Sequence, residues 1–470
     1  MSLKFLHLHL HGLIRSNNLE LGKDSDTGGQ TQYVLELVKS LANTSEIDQV
    51  DLVTRLILDS KVDNSYSQEK EFIEPGAQIL RFQFGPNKYL RKELLWPYLN
   101  ELTQNLINYY QKHENKPSFI HAHYADAGYV GVRLSKALKV PLIFTGHSLG
   151  REKQRKLLET GLKTNQIEKL YFISKRINAE EEALQYADFV VTSTRQEAVY
   201  QYSHYQSFSA EKSRVIAPGV DHMKFHHIHS TTETSEIDNL MTPFLKDLRK
   251  PPLLAISRAV RRKNIPSLVE AFGRSEKLKR KTNLILVLGC RDNTSKLDSQ
   301  QRDVFQKIFE MIDKYNLYGK VAYPKKHTPA NIPALYRWAA SRGGIFVNPA
   351  LTEPFGLTLL EASSCGLPII ATDDGGPKEI HSKCENGLLV DVTDINKLKI
   401  ALEKGMSNSS QWKLWSRNGI EGVQRHFSWN THIRHYLSIL TGEFQKSKIA
   451  SSSGIKESCL KGSSSLIKPH

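Results

Sequence analysis

The feature that most restricts this chain is an alternation that starts twice: short apolar runs, each closed by a polar or glycine turn, followed by segments of helical period. The runs in the first half are Leu3 to Leu10, Val50 to Leu58, Gln78 to Phe84, Ser118 to His123, Pro141 to Thr145, Phe189 to Thr192 and Arg214 to Ala217. Helical patterns stand between them at Thr31 to Leu41, at Pro97 to Tyr110 and up to Leu138, and a basic segment from Arg151 leads into a helical stretch holding Lys175 and Arg176. The second half repeats the scheme, with strands at Leu253 to Ser257, Asn283 to Leu288, Val321 to Tyr323, Ile345 to Val347, Pro368 to Thr372 and Leu388 to Val390. Its clearest helices run from Pro266 to Phe272 and from Val304 to Tyr315. Strands that take turns with helices pair in parallel and need helices over both faces of the sheet. A chain of 470 residues is too long for one such core. Two doubly wound parallel-sheet α/β units are therefore expected, at 1–222 and 251–427, joined by a polar linker at 223–250 with a short helix near its end. Ile395 to Lys404 and Gln411 to Arg425 read as peripheral helices. A helix at about 428–445 is expected to pack back on the first unit, and the Ser- and Lys-rich segment 446–470 to be disordered.

In such sheets a ligand binds beyond the carboxyl ends of the strands. There the first half carries Gly28-Gly29-Gln30, His123-Tyr124 and His147-Ser148, which should line one crevice. In the second half, Glu353-Pro-Phe-Gly-Leu-Thr-Leu-Leu-Glu361 follows a strand; Pro354 and Gly356 break regular structure, and a helix opens at Leu357. A helix N-terminus offers unbonded N–H groups and the positive end of a dipole to an anion. Glu353 on the loop and Glu361 inside the helix flank that anion, in the hydroxyl–phosphate–hydroxyl layout of a sugar nucleotide. Taken locally, a helix cap followed by a core helix explains the stretch equally well. Arg258 and Lys263, at another strand end, can bring two cations to one anion, although a solvated basic turn also fits. Lys92, Lys153, Lys175 and Arg176 form a second basic set that suits a smaller phosphate or a solvated face. His222, His226, His227 and His229 lack any cysteine or carboxylate framework and read as a solvated loop rather than a metal site.

Composition removes several classes of function. No apolar run approaches the roughly 20 residues of a membrane span. His7 and His9 interrupt the apolar N-terminus, which reads as a first strand rather than a signal peptide. Cys290, Cys365, Cys384 and Cys459 show neither pairing nor metal spacing, so reduced thiols in a cytoplasm are expected. The net charge of +15 suits anionic partners, but it is not gathered into a nucleic-acid-binding motif.

Several stretches together carry a resemblance over about residues 1 to 445. Arg258 with Lys263, Glu353-Pro-Phe-Gly with Glu361, Gly28-Gly29-Gln30 and Pro218-Gly219-Val220-Asp221 resemble retaining glycosyltransferases of the GT-B fold, in glycosyltransferase family 4. Within that group, His11-Gly-Leu-Ile-Arg15, Asp26-Thr-Gly-Gly-Gln30, Arg91-Lys-Glu-Leu-Leu-Trp-Pro97, Ala122-His-Tyr-Ala-Asp126, Thr145-Gly-His-Ser-Leu-Gly150 and Gln201-Tyr-Ser-His204 resemble the sucrose-phosphate synthases. The resemblance implies transfer of glucose from UDP-glucose, or another nucleoside-diphosphate glucose, to fructose 6-phosphate, giving sucrose 6-phosphate in sucrose biosynthesis.

Carried onto this sequence, Arg258 and Lys263 would hold the donor diphosphate, Glu361 the ribose and Glu353 the transferred glucose. Amides around Gly356, Leu357, Thr358 and Leu359 would support the phosphates, and Gly29 and Gln30 would lie against the sugars. Lys92, Tyr124, Ser148, Lys153, Lys175 and Arg176 would bind the acceptor, and His147 would sit near the reacting carbon. Lys175 stands where relatives carry arginine, and a lysine cannot make the bidentate fork. The implied enzyme needs no metal and no cofactor, with Mg²⁺ at most a stimulant. It acts on small molecules, with neither nucleic acid nor membrane as partner, and a separate sucrose-phosphate phosphatase would take its product. The chain reads as a single catalytic unit. The rival readings are a sucrose synthase-type enzyme using free fructose, a peripheral glycolipid transferase, and a non-catalytic anion-binding protein of the same fold.

Overall fold

The computed structural model describes residues 3–24, 26–112, 116–227 and 235–440. The segment 446–470 and His229 lie outside the described residues. The first sheet has eight strands: β1 (Leu3–Leu8), β2 (Ile47–Arg55), β3 (Lys70–Glu74), β4 (Ala77–Phe82), β5 (Phe119–His123), β6 (Leu142–Thr145), β7 (Phe189–Thr192) and β8 (Ser213–Val215). They lie in the order β3-β4-β2-β1-β5-β6-β7-β8, and all pair in parallel except the antiparallel β3–β4 edge. The second sheet has six strands: β9 (Pro252–Ile256), β10 (Asn283–Val287), β11 (Val321–Ala322), β12 (Ile345–Asn348), β13 (Ile369–Thr372) and β14 (Gly387–Val390). Their order is β11-β10-β9-β12-β13-β14, all parallel. The two-unit α/β reading holds, and its central strands are largely buried on both faces, in the second sheet as the apolar runs of β9, β10, β12 and β13 require and in the first with histidines among the buried residues of β1 and β5.

Among the elements with no counterpart in the sequence reading are the helices Glu276–Lys281 and Pro377–Cys384, one edge strand and the helix Asn331–Ser341. Strand β3, Lys-Glu-Phe-Ile-Glu, buries only Ile73, so it carries too little apolar signal to read as a strand and is held by its partner β4. The helix Asn331–Ser341 carries Pro333 in its first turn, where the missing N–H costs nothing but the sequence looks like a break. The segment 223–250 also differs from a solvated linker. Phe225, Ile237, Met241 and Leu245 are buried in the second unit's core, and the helix Ser235–Met241 supplies two of them. Its apolar positions are too few among Ser, Thr and His neighbours to show as a periodic face. Of the histidines read as a solvated loop, His226 and His227 are exposed, while His222 is half-buried with its Nδ1 3.0 Å from Ser364 Oγ.

Each face of the first sheet has its own core. One lies under the helices Leu99–Lys112 and Ala125–Leu138. In the second of these helices Gly131 approaches the sheet so closely that a Cβ there would lie 3.0 Å from Ala122. The other core lies under the helix Gly29–Ala42 and the C-terminal helix 429–440, whose Trp429, Ile433, Tyr436 and Leu440 return to the first unit after the chain has built the second. The chain crosses between units side by side with itself: Val220 N donates to Phe427 O at 2.8 Å, and Val220 and Ser428 form a parallel bridge.

At that crossing a Cβ on Gly219 would stand 2.5 Å from Trp429 N, a backbone atom that cannot rotate away. We expect Gly219→Ala to destabilise the protein by about 1–3 kcal/mol, the usual cost of overpacking, read as a lower denaturant midpoint. An unchanged midpoint would mean the returning chain does not pack there.

Candidate functional site

The second unit builds its half of the site from three strand ends. Beyond β12, Glu353 is clamped by the loop after β13: Glu353 N donates to Asp374 O at 3.1 Å, and Gly376 N donates to Glu353 O at 2.9 Å. Gly375 sits at φ +104°, and a Cβ there would fall 2.0 Å from the Glu353 carbonyl, so only glycine fits. The Glu353 carboxylate is 9% exposed; Lys263 Nζ ion-pairs with it and Asn348 Nδ2 donates to it at 3.1 Å. Burial pushes this carboxyl up, but Lys263, Asn348 and Arg262 outweigh that and hold it below its ordinary value. Lys263 lies in the turn beyond β9, fixed to the same loop by Leu351 N donating to Arg262 O at 2.9 Å.

Gly356, at φ +104°, turns the chain into the helix Leu357–Ser364. Leu359 N donates back to Gly356 O at 2.9 Å, while the amides of Leu357 and Thr358 stand at the helix's open end. Glu361 accepts from Tyr336 OH at 3.1 Å and from Gln32 Nε2, across the cleft, at 3.5 Å. Burial pushes its carboxyl up to about 7, against the pull of Tyr336. Arg258 faces the first unit: a Cβ on Gly22 would lie 3.9 Å from its Cγ. Burial and Arg262 lower the Arg258 guanidinium, and Asp24, Asp26 and Glu353 oppose them.

The first unit supplies a pocket lined by Lys92, Glu93, Trp96, Tyr124, Asp126, Lys153, Tyr171 and Arg176. Its cations are held in place by carboxylates. Lys92 Nζ pairs with Asp26, whose Oδ2 also accepts from Lys92 N at 3.0 Å. Lys153 Nζ is 3.7 Å from Glu93 Oε1 and 3.8 Å above the Tyr171 ring. Burial, then the neighbouring Arg176, brings Lys153 down to about 8. Arg176, 4% exposed, donates to Glu180 at 2.9 Å and to Ser148 O at 2.5 Å, with its guanidinium 4.4 Å from the Tyr124 ring centre. Ser148 Oγ, 3.2 Å from Arg176 NH2, steadies that guanidinium. Lys175, by contrast, is exposed and is not among the pocket-lining residues; its Nζ lies 5.6 Å from the Phe172 ring. Adjacent helical positions point about 100° apart, so a helix that turns Arg176 inward turns Lys175 away.

Between these halves, Gly28-Gly29 opens the helix Gly29–Ala42 with nothing within 4 Å of where either Cβ would stand, and Gln30 Nε2 is buried without a partner among the described residues. Tyr124 and His147 lie just past β5 and β6 at φ +82° and +56°. Such left-handed backbone costs a non-glycine residue about 1–3 kcal/mol and gathers at functional sites. The structure gathers Lys92, Tyr124, Lys153 and Arg176 in one pocket with Ser148 bonded to Arg176, and pairs Lys263 with Glu353 in the other unit, while Lys175 stands apart. It adds Asn348, Tyr336, Gln32, Asp26, Glu93 and Glu180. Asn348, at a strand end five positions before Glu353, was readable from its place. Tyr336 was not, because its helix left no clear pattern.

Comparison with known proteins agrees with this layout. The family "Sucrose synthase first GT-B domain" matches residues 2–235, and "Glycosyl transferases group 1" matches residues 236–422. A probable sucrose-phosphate synthase of Vicia faba is 40% identical over 92% of this chain and 46% of its own length. Sucrose-phosphate synthase 4 of Arabidopsis thaliana is 39% identical over 92% of this chain and 47% of its own. The chain thus spans about half the length of these curated relatives. The solved sucrose-phosphate synthase of Thermosynechococcus elongatus superposes with a TM-score of 0.75 at 25% identity, covering 96% of this chain and all of that one. Anabaena HepE, solved with UDP and glucose, shares the fold with a TM-score of 0.65 at 16% identity, over 94% of this chain and all of its own. The chain is a GT-B glycosyltransferase in fold and is homologous to the sucrose-phosphate synthases over 92% of its length.

Proposed function

We propose that this chain transfers glucose from UDP-glucose to fructose 6-phosphate with retention, giving sucrose 6-phosphate. The observation that carries the reading is the pairing of two anion-ready surfaces in one cleft: Lys263 and Arg258 beside the Gly356 helix end, and Lys92, Lys153 and Arg176 around Tyr124. The first suits a nucleoside diphosphate, the second a sugar phosphate. Homology to the sucrose-phosphate synthases and the solved Thermosynechococcus elongatus relative support the same substrates.

In this reading Glu361 accepts from the ribose hydroxyls, and Glu353 accepts from the glucose. The amides of Leu357 and Thr358 meet the diphosphate. As the glycosidic bond breaks, negative charge grows on the phosphate oxygens, and Lys263 and Arg258 stabilise it most in the transition state. Lys263 is already fixed by Glu353, so little reorganisation accompanies the step. The fructose hydroxyl enters on the face the diphosphate leaves, and a departing phosphate oxygen takes its proton. The acceptor phosphate displaces Glu93 from Lys153 and takes its place as the anion beside the ammonium. In this reading the cations of Lys263 and Arg258 stabilise the charge of the departing diphosphate, and Mg²⁺ would act by adding to them. The product's phosphate ester calls for a phosphatase as the next reaction.

Lys263→Gln keeps an amide to satisfy Glu353 but removes the charge. It should lower kcat at least about 100-fold, the scale of one lost transition-state contact, with the fructose 6-phosphate KM little changed. A change confined to that KM would remove the donor role. Lys153→Ala should reduce kcat/KM for fructose 6-phosphate about 10- to 100-fold, the range of a charge-assisted hydrogen bond, and leave turnover of free fructose unaffected. Equal losses on both acceptors would exclude a phosphate contact.

Glu361 predicts a pH effect. Its folded-state pKa is raised to about 7, so its contribution to stability is fully present at low pH and is lost as the pH rises through about 7. Ribose hydroxyls bind the ionised form. Donor affinity should therefore increase about tenfold between pH 6 and 8, and Glu361→Gln should abolish that dependence. A pH-independent donor affinity in the wild-type protein would show that Glu361 does not bind the ribose as a carboxylate.

A further inference from the structure

The first sheet carries a layer of histidines that the proposed reaction does not use. His7 on β1 and His9 just past its end share one face, and His121 and His123 share the same face of β5, because side chains two apart in extended chain point the same way. Cα register pairs His7 with His121, and His123 with Thr145. The helices Gly29–Ala42 and 429–440 cover this layer and bring Tyr33, His432 and Tyr436 against it. All four of these histidines are fully buried.

Two sets of hydrogen bonds run through the layer. His121 is held by hydroxyls on both sides, Tyr436 OH at 2.9 Å from its Nδ1 and Thr145 Oγ1 at 2.9 Å from its Nε2. The other set is a row of three imidazoles leading to the site: His7 Nδ1 is 3.0 Å from His123 Nε2, and His123 Nδ1 is 3.0 Å from His147 Nε2. The row ends inward at His7 Nε2, a buried atom with no hydrogen-bond partner among the described residues.

That end decides the direction of the row. A neutral imidazole carries one N–H and one acceptor nitrogen. If the protons pointed inward, from His147 to His123 to His7, the last proton would sit on His7 Nε2 as an orphaned buried N–H. If they point outward, His7 Nε2 is only an unused lone pair. Orphaned buried donors are the rarer and costlier of the two. Protonated rings do not offer a third arrangement, since burial pushes His7 and His147 down to about 3 and His123 well below its ordinary value. A bound cation also fits poorly. The ring nitrogens of His7, His121 and His123 lie within 4.8 Å of one another, but each ring is already engaged by its neighbours, Tyr436 or Thr145.

We propose that His7 and His123 are positioning residues that hold His147 in its Nδ1–H tautomer, so that it meets the bound sugar as a neutral hydrogen-bond donor and not as a base. The chain of donation is His7 Nδ1–H to His123 Nε2, then His123 Nδ1–H to His147 Nε2. His147 Nε2 is thereby occupied as an acceptor, and its remaining proton is on Nδ1. Tyr33, whose ring centre is 5.2 Å from that of His147, packs edge-on and keeps the ring in line with the row. The proposal rests on the glucosyl-transfer reading only for what His147 meets; the tautomer itself does not depend on it.

The test is long-range ¹⁵N–¹H correlation on the full chain labelled at histidine, near neutral pH, with His147→Gln and His123→Asn assigning the rings. The expected spectrum has His147, His123 and His7 neutral, each with its proton on Nδ1. His123→Leu removes the donor, so His147 should shift toward the Nε2–H form, and kcat should fall about tenfold with the donor KM unchanged. His123→Asn keeps an N–H donor near the Nδ1 position and should restore both. Should His123→Leu fail to fold, the wild-type spectrum and His123→Asn decide alone. His147 protonated on Nε2, His147 titrating near pH 6.5, or one equivalent of tightly bound transition metal with the His7 and His123 N–H signals lost would each overturn the proposal. An enzyme inactive on fructose 6-phosphate but showing the expected tautomers would overturn the substrate reading instead.

Discussion

Glu353 is a carboxylate almost without solvent, and the second half of the cleft is arranged around keeping it charged. Its partner Lys263 arrives from the turn after β9, while Glu353 itself hangs from the loop after β12, and Gly375 and Gly376 after β13 clamp that loop from behind. Three neighbouring strands thus converge on one ion pair. Losing either partner would leave the other as an unpaired buried charge, which commonly costs about 3–5 kcal/mol. The same pair fixes the Lys263 ammonium beside the open N-terminus of Leu357–Ser364 before any ligand arrives. A cation placed in advance, in surroundings that exclude water, is worth more to a departing phosphate than one recruited from solvent.

The first unit meets its anion by a different route. Lys92, Lys153 and Arg176 each have a carboxylate partner, Asp26, Glu93 and Glu180. The formal charge of +15 therefore says little about the pocket, where neighbouring charges are largely balanced. The pairs differ in firmness. Arg176 and Glu180 are almost fully buried and tied further by Ser148, so they form a fixed wall. Lys153 is separated from Glu93 by 3.7 Å and rests on the Tyr171 ring, which leaves it the easiest cation to transfer to an incoming phosphate. The C-terminal helix 429–440 packs on the back of the same unit and brings Tyr436 and His432 to the histidine layer. The returning crossing of the chain thus links the second unit back to the first and completes the layer beneath His147.

The alternation of apolar runs with helical segments, read twice along the chain, determined two parallel-sheet units and the ends of the strands where a ligand would sit. The motifs at Gly28 to Gln30, His147, Arg258, Lys263 and Glu353 to Glu361 were legible for the same reason: each sets glycine, polar or charged residues at the end of an apolar run. Strand β3 and the helix Asn331–Ser341 were not, because an exposed edge strand and a helix with proline in its first turn carry weak local patterns. What only the tertiary structure decided is which charges face each other. Lys175 and Arg176 are neighbours in sequence, yet helical rotation puts one in solvent and the other in the pocket. Tyr336 and Gln32 reach Glu361 from elements far away in the chain, and the three imidazoles from His7 to His147 line up only because β1, β5 and β6 stand in adjacent register. Sequence period fixes which face a side chain takes; the partners it finds there depend on strand order and helix packing, which no local pattern contains.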